Sequence, residues 1–217
     1  MYFTNRAQAG AQLAEQLTNY RYENCVVVAL SDGGVVVAEP IAAALHCIMT
    51  IMLAEDVMLP GEPTPVGSIN QEGGFSFNSE YSEGQIEEFQ SEFHSYIEDQ
   101  KLEHLHHLNQ LLGDTGLLDR DMLRDQNVIL VSDGLKSAAL LDAAADFMKP
   151  IRTQKLIIAA PIASVKAVDR MHIMADELHV LNVTDNYLDT NHYYDDNVIP
   201  SRDEIVAKIK QIILNWH

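Results

Sequence analysis

The fold is decided by one stretch past the middle of the chain, Val128-Ile129-Leu130-Val131-Ser132-Asp133-Gly134-Leu135-Lys136-Ser137-Ala138-Ala139-Leu140. Its first four residues are apolar, which is typical of a strand buried on both faces. A short polar turn follows, and a helix is predicted to begin at Ser137. The start of a helix offers unpaired N–H groups and a partial positive charge, which favour a phosphate. A ligand site is therefore predicted between Val131 and Leu140.

The same alternation of apolar strands and helices continues on both sides of this stretch. Strands are predicted at Cys25–Leu30, Ile48–Leu53, Asn127–Val131, Lys155–Ala160 and Glu177–Leu181. Helices are predicted at 5–20, Val35–Leu45, 82–112, Ser137–Met148, Ser164–Met171 and 201–216, with Thr4 capping the first and Gly113 ending the third. Strands that alternate with helices indicate an α/β fold with a doubly wound, mostly parallel sheet.

One region departs from this regular pattern. Residues 54–79 are rich in proline and glycine, which predicts irregular loops with short strands near Val66–Asn70 and Phe75–Asn78. The long helix predicted at 82–112 carries an apolar stripe and an acidic face. We therefore predict a single domain over residues 1–217, with an inserted hood at about 54–113.

Composition limits the class of protein and its partners. The 217 residues are 47% hydrophobic, enough for a sizeable core, and their formal net charge is −18. Such a surface repels phosphate backbones and anionic lipids, so neither nucleic acid nor a membrane is expected as a partner. The chain shows no targeting segment and is expected to be cytoplasmic. Its two cysteines, Cys25 and Cys47, lie in apolar runs and are expected to be buried thiols rather than a disulfide or redox pair.

The stretch around Asp133 resembles the signature of the type I phosphoribosyltransferases, in which apolar residues precede two acids, three variable residues and Thr-Gly-x-Thr. The resemblance extends over most of the chain to about residue 181. The opening from Phe3 to Gly10 looks like that of a bacterial subgroup of predicted phosphoribosyltransferases. The run Ala29–Ala38 looks like the subgroup's first strand and turn, and 66–78 resembles its hood. The chain is similar to this family in the order of its motifs as well as in their composition.

The resemblance implies a binding loop for the ribose and 5-phosphate of phosphoribosyl pyrophosphate (PRPP), formed by Ser132, Asp133, Gly134, Leu135, Lys136, Ser137, Ala138 and Ala139. If this chain binds PRPP as that family does, Asp133 would contact the ribose. The N–H groups of Gly134–Ala139 and the Ser137 hydroxyl would then hold the phosphate. Pyrophosphate would lie on the turn formed by Ser31, Asp32, Gly33 and Gly34. The PRPP would bring Mg²⁺ with it, and a nitrogenous base would be the acceptor. Dimers are common among such proteins, so the resemblance makes a homodimer one candidate for the oligomeric state, which the sequence itself does not give.

Three departures from the family pattern bear on activity. Ser132 replaces the first acid, and Leu140 replaces the last threonine. Asp32 stands where the family has arginine, so that an anion would face pyrophosphate. Lys136 is a gain, because it could neutralise a phosphate, although an exposed turn would also explain it.

Two hypotheses follow for the function. The first is an active PRPP-dependent phosphoribosyltransferase acting on a nitrogenous base. The second, which these departures favour, is a phosphoribosyltransferase-like protein that binds a phosphate-bearing ligand or nucleotide and has weak or no transfer activity. No catalytic residue is assigned. The spacing of Glu103, His104 and His107 could hold a metal, but a solvated helix face is the preferred interpretation.

Overall fold

A computed structural model describes residues 2–112 and 118–215. The predicted helix end at Gly113 and the last residue of the predicted final helix lie outside these ranges. In chain order the elements are α1 (Arg6–Gln16), β1 (Cys25–Ala29), α2 (Asp32–Leu45), β2 (Ile48–Ile51), β3 (Ala54–Val57), β4 (Gly67–Asn70), β5 (Phe75–Phe77), α3 (Glu83–Glu92), α4 (His94–Leu112), β6 (Asn127–Val131), α5 (Ala139–Met148), β7 (Lys155–Ser164), α6 (Val165–Met174), β8 (Glu177–Thr184) and α7 (Arg202–Asn215).

The described residues divide into two compact units. The first unit comprises residues 2–52, 118–136 and 151–215, and the second comprises 53–112 and 137–150. The chain passes from the first unit to the second between Lys136 and Ser137, inside the predicted ligand loop. Helix α5 therefore belongs to the second unit, together with β3, β4 and β5.

The first unit contains a five-stranded sheet in the order β2-β1-β6-β7-β8, and every neighbouring pair is parallel. This confirms the α/β prediction with a mostly parallel sheet. Every residue of β1 and of β6 is buried, as their uninterrupted apolar sequences predict. From β1 the chain moves to β2 on one side and later to β6 on the other. The carboxyl ends of β1 and β6 therefore flank the point where strand order reverses, where such sheets bind ligands.

The beginning of α2 differs from the predicted tight turn at Ser31–Gly34. Ser31 is the N-cap, because its hydroxyl accepts a hydrogen bond from the Gly34 N–H at 2.8 Å, and the helix begins at Asp32. The glycines with positive φ among the described residues are Gly61 and Gly73, so Gly33 and Gly34 have ordinary helical backbone. They are needed for close packing, as the site geometry shows.

Several predicted boundaries are corrected in the first unit. Asn5, not Thr4, caps α1, since its side chain accepts from the Gln8 N–H at 2.8 Å. The helix predicted at 5–20 ends at Gln16 and continues as a separate 3₁₀ turn, Thr18–Tyr20. Strand β7 runs to Ser164 and β8 to Thr184, each beyond its predicted end, and Ser164 is the N-cap of α6 rather than its first residue.

The second unit is built on the antiparallel sheet β3-β4-β5. Strand β3 was not predicted. The helix predicted at 82–112 is two helices, because the backbone bends at Phe93 (φ −116°, ψ 17°). Helix α5 begins at Ala139, two residues later than predicted. No helix in the described ranges combines the length and the hydropathy needed to cross a bilayer.

Candidate ligand site

Asp133 lies just beyond the carboxyl end of β6 and is the centre of a buried polar cluster in the first unit. Its Oδ2 accepts from the Arg6 Nε at 2.8 Å, and its Oδ1 accepts from the Ser31 hydroxyl at 2.8 Å. The side chains of Arg6 and Asp133 are 2% and 11% exposed. Both carboxylate oxygens of the one remaining motif acid therefore have partners from the chain itself.

Arg6 joins this acid to a later segment of the chain. Its Nη1 donates to the Asn197 Oδ1 at 3.1 Å, and its Nη2 donates to the Asn191 Oδ1 at 2.7 Å. The guanidinium carbon also lies 4.5 Å from the centre of the Tyr194 ring. These contacts use all three nitrogens of the guanidinium and one of its faces, so Arg6 organises the cluster. The sequence motifs did not identify Arg6 as a site residue, because Asp133 is 127 positions away.

The first turn of α2 approaches the end of β6 too closely for any side chain. A Cβ atom at Gly33 would lie 2.1 Å from the Asp133 Oδ2 and 2.9 Å from the Arg6 Nε. At Gly34 a Cβ would lie 2.9 Å from the Val131 carbonyl oxygen. The two glycines therefore allow the Ser31–Gly34 segment and Asp133 to meet.

Asp32, the residue expected to repel pyrophosphate, forms an ion pair with Arg202 at the start of α7. The Asp32 side chain is 42% exposed, and that of Arg202 is 15% exposed. The anion in the predicted pyrophosphate turn is thus neutralised by a cation 170 residues later. Nothing in the sequence around either residue indicates this pairing.

Residues 132–136 follow the neighbouring strand rather than forming an open loop. The Ser132 hydroxyl accepts from the Gly134 N–H at 3.2 Å and donates to the Gly134 carbonyl at 2.9 Å. Leu135 forms a parallel bridge with Ala163, its N–H donating to the Ile162 carbonyl at 3.0 Å. Lys136 is exposed.

The remaining predicted loop residues, Ser137, Ala138 and Ala139, are buried in the second unit. The Ala138 N–H donates to the Glu80 Oε1 at 2.8 Å. The Ala139 N–H makes a longer bond of 3.4 Å to the Ser137 hydroxyl. The Glu80 carboxylate therefore accepts a hydrogen bond from an N–H group at the start of α5, where the family pattern would place a phosphate.

Two tyrosines complete the cluster in the first unit. The Tyr194 hydroxyl donates to the Asp133 carbonyl oxygen, and the Tyr187 hydroxyl lies 2.9 Å from the Thr190 hydroxyl. Burial raises the pKa of both tyrosines, and the charge of Asp133 adds to this effect. A Cβ at Gly134 would lie 2.1 Å from the Tyr187 hydroxyl, so this tyrosine packs directly on the loop backbone.

The histidines of the predicted acidic helix face form a separate cluster in the second unit. The Nδ1 atoms of His104 and His107 each contact one carboxylate oxygen of Glu55 on β3. Glu103, the residue considered with them in the sequence, is exposed. Within residues 2–112 and 118–215, no group of three or more potential ligands has an arrangement suited to a metal ion.

Comparison with known proteins identifies the family. The profile described as phosphoribosyl transferase domain matches residues 2–198. Two Mycobacterium tuberculosis proteins, Rv0571c of strain H37Rv and MT0597 of strain CDC 1551, are both provisionally named phosphoribosyl transferases. Each is 26% identical over 206 residues, which are 94% of this chain and 46% of the relative. The chain thus spans about half the length of these curated relatives.

A solved structure agrees with this match. The crystal structure of TT1426 from Thermus thermophilus superposes with a TM-score of 0.71 at 27% identity, covering 100% of this chain and 99% of that one. The similarity therefore extends over the whole fold as well as over the signature around Asp133. The chain belongs to the phosphoribosyl transferase domain family.

Proposed function

We propose that this chain is a phosphoribosyltransferase-like binding protein. It takes a phosphate-bearing ligand or nucleotide at the Ser132–Ala139 loop, and its transfer of ribose phosphate is weak or absent. One observation carries the weak transfer: four N–H groups of the loop already have acceptors, those of Gly134 and Leu135 within the first unit and those of Ala138 and Ala139 within the second. A phosphate that relies on these groups must first displace the existing acceptors.

The state of Asp133 supports weak transfer. The Asp133 Oδ2 already accepts from Arg6 and its Oδ1 from Ser31, so a ribose hydroxyl would have to share an oxygen with one of these donors or displace it. Asp133 as a whole is only 8% exposed. Breaking a buried ion pair leaves an uncompensated charge, which costs about 3–5 kcal/mol. Contact with a ribose would therefore compete with a strong internal interaction.

The charge of the Ser31–Gly34 segment supports the same conclusion. The pair formed by Asp32 and Arg202 has no net charge, so it offers pyrophosphate no excess cation. If Arg202 turned away from Asp32 towards a ligand, the Asp32 carboxylate would repel a unit negative charge of that ligand. The repulsion is about 4 kcal/mol for two charges 4 Å apart at an effective dielectric constant near 20. Mg²⁺ would enter only with PRPP, as the metal of its pyrophosphate.

Binding without transfer remains chemically reasonable at the start of α5. The Glu80 carboxylate there is an internal anion, and a ligand phosphate has the same requirement for N–H donors. We therefore propose that a phosphate group displaces Glu80 from the Ala138 N–H.

Calorimetry of the 217-residue chain tests this proposal. We expect a nucleoside monophosphate or inorganic phosphate to bind, and PRPP with Mg²⁺ to give no base-dependent release of pyrophosphate. Glu80→Ala should strengthen phosphate binding, whereas the exposed Glu83→Ala control should not. Micromolar PRPP binding that is lost in Asp133→Ala, together with turnover, would favour the active phosphoribosyltransferase instead. Unchanged phosphate affinity in Glu80→Ala would contradict the displacement step.

A reversal experiment tests the cause of the lost transfer. Restoring Asp32→Arg and Ser132→Asp alone would place two arginines together, because Arg202 already faces position 32. The triple variant that adds Arg202→Ala leaves the introduced arginine without an internal partner, so its charge is available to pyrophosphate. We expect this variant to gain PRPP affinity over the Arg202→Ala single variant. Equal affinity would mean that these positions do not explain the loss.

A further inference from the structure

Away from the ligand loop, at the amino ends of β1 and β2, the structure brings two cysteines together. Both are buried and free, as the sequence predicts. In contrast to the expectation that they are not a redox pair, we propose that Cys25 and Cys47 form a peroxide-sensitive dithiol that oxidises to an intramolecular disulfide. This modification site lies at the opposite end of the strands from Asp133, since Cys25 begins β1 and Asp133 follows the end of β6. It is independent of the proposed function.

Strand register places the two residues side by side. Val26 pairs with Ile48 in the parallel ladder, and Cys25 and Cys47 are the residues directly before this pair in the chain. Neighbouring strands lie about 4.8 Å apart, which falls within the Cα separation of roughly 4.4–6.8 Å that a disulfide needs. Both cysteines are free and buried, and the Cys25 thiol donates to the Tyr20 carbonyl oxygen at 3.6 Å. The backbone spacing at this end of the two strands is therefore compatible with a disulfide.

A cavity gives small molecules access to this pair. Both cysteines are only 6% exposed, yet both line a cavity of about 360 Å³ in the first unit. His46, Asp121 and Met122 are among its other lining residues. Hydrogen peroxide is small enough to enter such a space, whereas a folded protein is not. The site therefore suits a peroxide rather than a protein disulfide partner.

The two thiols differ in reactivity. The hydrogen bond from the Cys47 thiol lowers the pKa of Cys25, because it stabilises the thiolate. The same interaction and burial raise the pKa of Cys47. The thiolate is the nucleophile in cysteine chemistry, so Cys25 is the attacking residue and Cys47 is the resolving residue.

The reaction balances with a peroxide as the oxidant. The Cys25 thiolate attacks one oxygen of hydrogen peroxide, the O–O bond breaks, and hydroxide leaves to be protonated to water. The resulting sulfenic acid is attacked by the Cys47 sulfur, which forms the S–S bond. The sulfenic hydroxyl leaves as a second water after taking up the Cys47 proton. Two thiols are oxidised, and one peroxide is reduced.

The sequence makes the test simple, because the chain contains only these two cysteines. The folded chain is treated with millimolar hydrogen peroxide, unfolded in denaturant and alkylated, and its mass is measured with and without prior reduction. We expect both thiols to be lost together in a monomeric product, and both to return on reduction. Two alkylatable thiols after treatment, or a disulfide between two chains, would overturn the proposal.

Single variants test the order of reaction. In Cys47→Ser, a sulfenic acid should accumulate at Cys25 and be trapped by dimedone. In Cys25→Ser, Cys47 should be trapped at least ten-fold more slowly. Circular dichroism before oxidation verifies that each variant is folded. Equal trapping rates in the two folded variants would refute the assigned roles, and disulfide formation only in denatured wild-type protein would refute the site.

Discussion

Replacement of Arg6 by methionine tests whether its buried cation holds the polar cluster together. Methionine has a similar length but no charge, so Arg6→Met leaves Asp133 buried without its cation. Removing one partner of a buried ion pair costs about 3–5 kcal/mol, and the Arg6 side chain is only 2% exposed. For a chain of this size, such a loss lowers the melting temperature by roughly 6–20 °C. Equilibrium unfolding in urea measures the free energy directly.

A matched variant and a double variant make this experiment decisive. Lys208→Met removes the cation of the Lys208–Glu39 pair, whose side chains are 41% and 40% exposed, and should cost less than about 1 kcal/mol. Adding Asp133→Asn to Arg6→Met removes the stranded charge and should recover at least about 1 kcal/mol of stability. The reasoning is refuted if the two methionine variants lose equal stability, or if the double variant is less stable than Arg6→Met.

Three further predictions concern the same cluster. Tyr194→Phe removes the donor to the buried Asp133 carbonyl and should lower the free energy of unfolding by about 1–3 kcal/mol in urea; a loss below the error of the fit would contradict it. Gly33→Ala should destabilise the chain, because its Cβ would lie 2.1 Å from the Asp133 Oδ2. The control is Gly84→Ala in α3, where a Cβ would meet no other atom within 4 Å. This control should stabilise the chain by up to about 1 kcal/mol. The pKa of Tyr187 and of Tyr194 is raised in the folded state, so the stability that they contribute is complete below the usual tyrosine pKa of about 10 and is lost as the pH rises towards their folded values. Above the usual pKa, tyrosinate absorbance should therefore show fewer ionised tyrosines in the folded chain than in the unfolded chain. Equal numbers would exclude this effect.

Local sequence patterns were enough to predict the parallel sheet. Strand β6 was predicted with both ends correct, because its apolar run is bounded by polar residues. Strand β3 was missed because its sequence, Ala54-Glu55-Asp56-Val57, contains two charges and lacks an apolar alternation. Those charges have side-chain partners in the second unit: Ser68 donates to Asp56, and Glu55 contacts two histidines. Tertiary contacts of this kind leave no periodicity in the strand itself.

The chemistry of the candidate site could be predicted only in part for the same reason. The family signature located Asp133 and the Ser31–Gly34 segment, and the structure joins them through the hydrogen bond from Ser31. The cations that neutralise the two acids come from the ends of the chain, Arg6 from α1 and Arg202 from α7. A sequence motif records which residues are near each other along the chain. It does not record which distant charge compensates them.

Internal compensation also sets a limit on the affinity of the second unit for a phosphate. While Glu80 occupies the Ala138 N–H, a phosphate can use that group only in the fraction of molecules where Glu80 has moved away. A hydrogen bond to a charged group contributes about 1.5–3 kcal/mol, so this bond alone lowers that fraction to roughly one in ten to one in 150. The apparent dissociation constant rises by the same factor over its intrinsic value. Weak phosphate binding by the wild-type chain would therefore reflect competition with the Glu80 carboxylate. Tighter phosphate binding by Glu80→Ala would support this explanation, whereas equally weak binding by that variant would indicate that the anion site has been lost.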